Sequence, residues 1–235
     1  MIYITGDIHG GYDVDTILRR DFNKDDILII CGDFGYIFQI NKRYYEEEQL
    51  DRDYFLECVG CTVLWVDGNH ENFERINQLP IEEKYGGKVH KVTDNCYHLI
   101  RGEKYDINGF KFLAIGGAES HDMHRRTEFV NWWKEESITD EDVERAIANS
   151  KDIDFVLSHT APLDLHYRLW CGNYIPVSTF EASQSCVQLD KLRKALEDRG
   201  KPFKWFLGHY HYDLDYNPYY VLYNAFYCVE KGYWV

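Results

Sequence analysis

Seven side chains of this 235-residue sequence have the chemistry of metal ligands: Asp7, His9, Asp33, Asn69, His159, His209 and His211. They fall in short blocks: Asp7-x-His9, Gly32-Asp33, Gly68-Asn69-His70-Glu71, His159, and Gly208-His209-x-His211. The set holds carboxylates, an amide oxygen and imidazoles, more donors than one ion takes and enough for two. Several imidazoles argue against magnesium or calcium, which prefer oxygen throughout. The absence of cysteine from the set argues against a structural zinc cluster. Manganese, iron, zinc, cobalt and nickel stay open, with manganese favoured. In extended chain, residues i and i+2 project to the same side, so Asp7 and His9 can share a face, as can His209 and His211. Singly, each block has an ordinary explanation. An Asp-x-His is usually surface chemistry, Gly-Asp is common in turns, and a lone histidine such as His159 is more often a hydrogen-bonded core residue. Their joint order makes the case for a site.

That order follows from what precedes each block. Apolar runs with the length and β-branching of buried strands lead into all of them: Ile2–Thr5, Ile27–Cys31, Thr62–Val66, Phe155–Ser158 and residues 205–207. Glycines at 6, 32, 68 and 208 allow tight turns and close backbone approach at the strand ends. Helical patterns alternate with these strands over residues 13–20, 43–57, 72–78, 139–150 and 185–199. Thr139 and Asp142 have capping-box spacing, and Gly200 and Pro202 follow the last helix. The alternation predicts an α/β layered fold with mainly parallel central strands, whose carboxyl ends deliver the ligands to one edge. Residues 95–101, Lys104–Ile107 and Phe110–Ile115 read as strands, with Asn108-Gly109 as a hairpin turn. Residues 219–223 and 226–229 read as an aromatic strand pair, so the sheet is mixed or doubled. Residues 117–138 and 161–184 read as long loops, which tend to be functional rims. One domain spanning residues 1–235 is expected.

Acidic residues outnumber basic ones by 40 to 26, for a formal charge of −14. That surface disfavours polymeric nucleic acid as a partner. A small phosphorylated substrate is still accommodated, because bound metal reverses the local field. No apolar stretch reaches membrane-spanning length, and no leader-like segment is visible, so a cytoplasmic setting without membrane contact is expected. Seven scattered cysteines do not form a disulfide framework. The sequence does not determine the oligomeric state.

The five blocks resemble the signature of the calcineurin-like metallophosphoesterases, across nearly the whole chain. The resemblance implies a four-layer αββα sandwich of two facing mixed β-sheets and a dinuclear centre of divalent transition ions. It implies that Asp7, His9 and His211 hold one ion, that Asn69, His159 and His209 hold the other, and that Asp33 bridges them. His70 would face the substrate phosphate as an acid or charge stabiliser. The implied activity is hydrolysis of phosphate mono- or diesters by a metal-activated hydroxide. Alternatives are a nucleotide-directed phosphodiesterase or nuclease and, on the same fold, a non-catalytic interaction module, which the retained His70 disfavours.

The sequence departs from many relatives in two places. Tyr36 stands where an acid often orients the catalytic histidine, and Asp67 stands where protein phosphatases tend to carry arginine. The segment from Gly116 through Asp122 to Arg125-Arg126 is similar to one in uncharacterised bacterial and phage-type members. There Asp122, Arg125 or Arg126 could contact the phosphate or orient His70; a self-packed loop is the competing explanation. His121 and His124 read as solvated loop residues, and His90 and His98 as strand-packing histidines. His166, Tyr167, Trp170 and Tyr174 could stack on a leaving group, with plain loop packing the favoured reading.

Overall fold

A computed structural model describes residues 1–175 and 183–235. Part of the expected loop at 161–184 lies outside the described residues. In chain order the strands are β1 (Ile2–Thr5), β2 (Ile27–Cys31), β3 (Thr62–Val66), β4 (Ile81–Lys84), β5 (Gly87–Lys91), β6 (Cys96–Leu99) and β7 (Lys104–Ile107). They continue as β8 (Phe110–Ile115), β9 (Phe155–Ser158), β10 (Lys204–Leu207), β11 (Leu214–Tyr216), β12 (Tyr219–Val221), β13 (Tyr227–Cys228) and β14 (Tyr233–Trp234). The helices are α1 (Asp15–Leu18), α2 (Lys42–Val59), α3 (Phe73–Ile76), α4 (Asp140–Asn149), α5 (Leu163–Cys171) and α6 (Gln184–Asp198).

The strands form two mixed sheets. One runs β14-β13-β1-β2-β3-β6-β5-β4 and the other β11-β12-β10-β9-β8-β7. Ile4, Ile29, Leu64 and Tyr227 from the first sheet pack against Phe112, Phe155, Leu157 and Phe206 from the second, in a core shared by the facing sheets. On the outer face of the first sheet, Leu28, Ile30 and Trp65 pack on Phe55, Leu56 and Val59 of α2. On the outer face of the second, Val156, Trp205 and Leu207 pack on residues of α4, α5 and α6 such as Val143, Leu165 and Leu192. The central strands are thus buried on both faces, which is why they read as continuous apolar runs rather than alternating ones. These layers make the expected αββα sandwich.

Local sequence signals set the helix ends. The Asn41 side chain accepts from the Arg43 N–H, and α2 stops at Gly60 with φ 66°. Thr139 and Asp142 form the reciprocal capping box of α4. Asn108 and Gly109 both take positive φ, 54° and 86°, in the β7–β8 hairpin.

The ligand-bearing strands come from both facing sheets: β1, β2 and β3 lie in the first, β9 and β10 in the second. Two expectations need correction. The aromatic strands near the C-terminus do not pair with each other. β12 lies parallel to β10 and antiparallel to β11, whereas β13 pairs antiparallel with β1. The stretch from 161 onward begins with α5, so His166, Tyr167 and Trp170 are helical. The β4–β5 hairpin was not foreseen, because Glu82, Glu83, Lys84 and Lys88 mask its alternation; such charges are typical of an edge strand. No helix among the described residues is long and apolar enough to cross a membrane.

Candidate metal centre

The ligand set assembles where the carboxyl ends of strands from both sheets meet. Asp7 follows β1, Asp33 follows β2, Asn69 follows β3, His159 follows β9, and His209 and His211 follow β10. Close approach requires glycine here. A Cβ on Gly32 (φ 98°) would sit 2.1 Å from His159 Nδ1, and one on Gly208 would sit 2.0 Å from Asp7 Oδ1. The chain also holds His9, Asp33, His209 and His211 at φ of 45°, 46°, 68° and 55°. Left-handed backbone at four non-glycine residues is costly, and such strain gathers at functional sites.

The donor atoms converge. Asp33 Oδ2 lies 3.2 Å from His9 Nε2 and 3.3 Å from His159 Nε2, between two imidazoles. Asp7 Oδ2 lies 3.0 Å from His211 Nε2. His159 Nε2 lies 3.2 Å from both Asn69 Oδ1 and His209 Nδ1. The ligand atoms of Asp7, His9 and His211 lie within 4.8 Å of one another, as do those of Asp7, Asp33 and His159. The seven expected residues therefore come together, with His70 beside His9 and Asp33.

Surrounding groups aim the ligands. His9 Nδ1–H donates to Asp13 Oδ2 at 2.7 Å, leaving Nε2 free for an ion. The Tyr223 hydroxyl donates to the other oxygen of Asp13 at 2.7 Å, and the Tyr223 ring stacks on His211. His159 Nδ1–H donates to the Cys31 carbonyl at 2.9 Å, which likewise points Nε2 inward. Asp33 Oδ1 accepts the backbone N–H groups of Asn69 and His70, both at 2.8 Å. Buried Glu71 accepts those of Phe34 and Gly35, which anchors the Asp33 loop. Asn69 Nδ2 donates to Ser120 Oγ, and Ser120 donates to Glu136, so the amide oxygen faces the site.

Electrostatics fit a cationic occupant. Burial opposes charge on His9, but Asp33, Asp7 and Asp13 raise its pKa to about 9. Burial also opposes charge on His159, yet Asp33 and Asp7 raise its pKa to about 10. Burial works against the Asp33 carboxylate too, and the neighbouring His159, His9 and His70 hold its pKa well below the usual carboxylate range. The carboxylates thus draw positive charge into a buried pocket, the role divalent ions would fill. With its oxygen and imidazole donors, this pocket fits such ions.

His70 differs from the ligands. Burial lowers its pKa, and His9 and Arg126 add to the effect against the pull of Asp33. Among the described residues no acid hydrogen-bonds its ring, and Tyr36 at the expected place is buried. Its ring packs against His9 and Phe38. Of the expected substrate contacts, Arg126 Nε pairs with Asp122 Oδ1 at 2.6 Å. Arg126 lies near enough to weaken the proton affinity of His70, so this pair stands at the rim. Arg125 is exposed in the turn over Met123–Arg125. His121 is exposed in the loop, as expected, with its ring 5.3 Å from that of His209.

Sequence reasoning missed Asp13, Ser120 and Glu136. Asp13, four residues after His9, carried a usable signal: metal-bound histidines commonly donate to a carboxylate. Ser120 and Glu136 had none, since their link to Asn69 exists only in the folded chain.

A family model for calcineurin-like phosphoesterases matches residues 1–221. No curated protein matches the chain.

Proposed function

Because the chain belongs to the calcineurin-like phosphoesterase family, a family of metal-dependent phosphoric ester hydrolases, we propose that it cleaves phosphate mono- or diesters at a dinuclear centre. Asp7, His9 and His211 would hold one ion and Asn69, His159 and His209 the other, with Asp33 between them. The observation that carries this reading is Asp33 Oδ2, which lies almost equally far from His9 Nε2 and His159 Nε2, as a bridging carboxylate would. A pair of divalent ions, manganese in our reading, would supply Lewis acidity and a water acidified to a pKa of about 7.

The chain's own residues supply the rest. His70, kept neutral by burial, can donate a hydrogen bond to a phosphate or leaving-group oxygen and stabilise charge there. Arg126, on the rim, adds positive field. Among the described residues, no side chain is placed to act as a covalent nucleophile. Burial, then the Asp7 charge, keeps the Cys31 thiol protonated, and Ser120 Oγ is held by Glu136. Direct attack by water is therefore the reaction this site supports.

The test is metal content and turnover together. Reconstituted with Mn²⁺, the protein should hold two ions per chain and hydrolyse aryl phosphate mono- or diesters. Competing the two ester types would set the preference. Two bound ions with no turnover of either ester would overturn the reading.

A further inference from the structure

The centre opens into a cavity of about 770 Å³ that runs from His9, His70 and His211 across one face of α2. Its far wall is set by helical spacing: Tyr44, Glu47 and Asp51 project from neighbouring turns of α2. Tyr12, 91% exposed, stands at the mouth, and Phe38 lines the floor. Among the described residues, no lysine or arginine lines this space. The nearby cation Arg75 is held by Glu48 and the Gln39 carbonyl. Two other lining carboxylates are also engaged: Asp13 with His9 and Tyr223, and Glu48 with the Phe38 and Gln39 N–H groups and Arg75. Glu47 and Asp51 form no ion pair among the described residues. A second observation points to a ligand. Tyr36 is buried at 3% exposure and lines the cavity, yet its hydroxyl makes no hydrogen bond among the described residues.

Resting on the hydrolase reading, we propose that this cavity selects phosphate esters whose alcohol carries an ammonium group. The phosphate stays at the metal centre and the alcohol extends over α2. Tyr12, Tyr44 and Phe38 offer aromatic faces to the cation, and Glu47 and Asp51 offer charge. The Tyr36 hydroxyl is free to bond the ester or alcohol oxygen. An anionic alcohol meets Glu47 and Asp51 on this wall, with no lysine or arginine among the described lining residues.

The test uses the manganese-loaded full chain and esters of three alcohols: choline, its uncharged isostere 3,3-dimethylbutanol, and glycolate. Each is offered as a phosphate monoester and as a 4-nitrophenyl phosphodiester. kcat/KM should fall in that order, by at least about tenfold from first to last. The double variant Glu47→Gln/Asp51→Asn should bring the choline-to-glycolate ratio close to one. In metal-free protein, tetramethylammonium should shift tyrosine ring resonances, and the double variant should weaken that binding about threefold or more. Equal kcat/KM for the three alcohols, or preference for glycolate, overturns the selectivity and leaves the hydrolase reading standing. Turnover of none overturns both.

Discussion

At the scale of single residues, the site depends on two histidine behaviours. His9 and His159 are gripped by carboxylates, whereas His70 is half-buried near cations and kept neutral. Replacing His70 with alanine should lower kcat by about 10²–10³-fold, the usual worth of a donor aimed at developing charge. Metal content should not change. A drop in metal content instead would make His70 a ligand. Asp13 acts one step out, by fixing the His9 tautomer. Asp13→Asn should weaken binding of the His9-side ion about 10–100-fold, as read by competition with a chelator, while the second ion is retained. Equal loss of both ions would show that Asp13 supports the pocket as a whole.

At the scale of elements, β5 and β6 carry a buried polar relay into the strand that positions Asn69. His90 donates to His98 Nδ1 at 3.0 Å, and His98 Nε2–H donates to Asp67 Oδ1 at 3.1 Å. Arg101 Nε donates to the other oxygen of Asp67 at 2.9 Å and also reaches the carbonyls of Glu135 and Ser137. This clamp ties the loop bearing Ser120 to the end of β3. It also accounts for Asp67 standing where arginine might be expected: the arginine arrives from Arg101, beyond β6. Burial, then the neighbouring His98, lowers the His90 pKa to about 4. The folded chain therefore resists protonation that the unfolded chain accepts near pH 6.5. Stability should be full above about pH 6.5 and decline as pH falls toward 4, by up to about 3 kcal/mol. Urea midpoints of wild type and His90→Gln, measured at pH 7.5 and 5, would check this. The variant should lose less between the two pH values, and equal losses would refute the assignment.

At the scale of the whole molecule, the ligands come from strands of two facing sheets, so holding an ion also holds the sandwich closed. Metal binding should stabilise the fold strongly. A ligand at a hundred times its Kd adds about 2.7 kcal/mol, and a chain of this size gains about 2–4 °C in Tm per kcal/mol. Stripping the metals with EDTA should lower Tm by at least about 5 °C, measured by calorimetry before and after manganese is restored. An unchanged Tm would mean that the pocket does not bind ions in the folded state.

Chemistry and local structure were legible along the chain. Asp7-x-His9, Gly32-Asp33, Asn69-His70, His159 and His209-x-His211 each follow an apolar run, and those runs became buried strands because burial on both faces demands uninterrupted apolar side chains. The capping box of α4 was equally local. What the tertiary structure alone decided is pairing across distance: that β9 and β10 face β1, β2 and β3 from a second sheet, that β12 and β13 part company, that Ser120 and Glu136 steady Asn69, and that α2 walls a cavity lined by Glu47 and Asp51. Periodicity records whether a segment is buried, and only the packed chain determines what it is buried against.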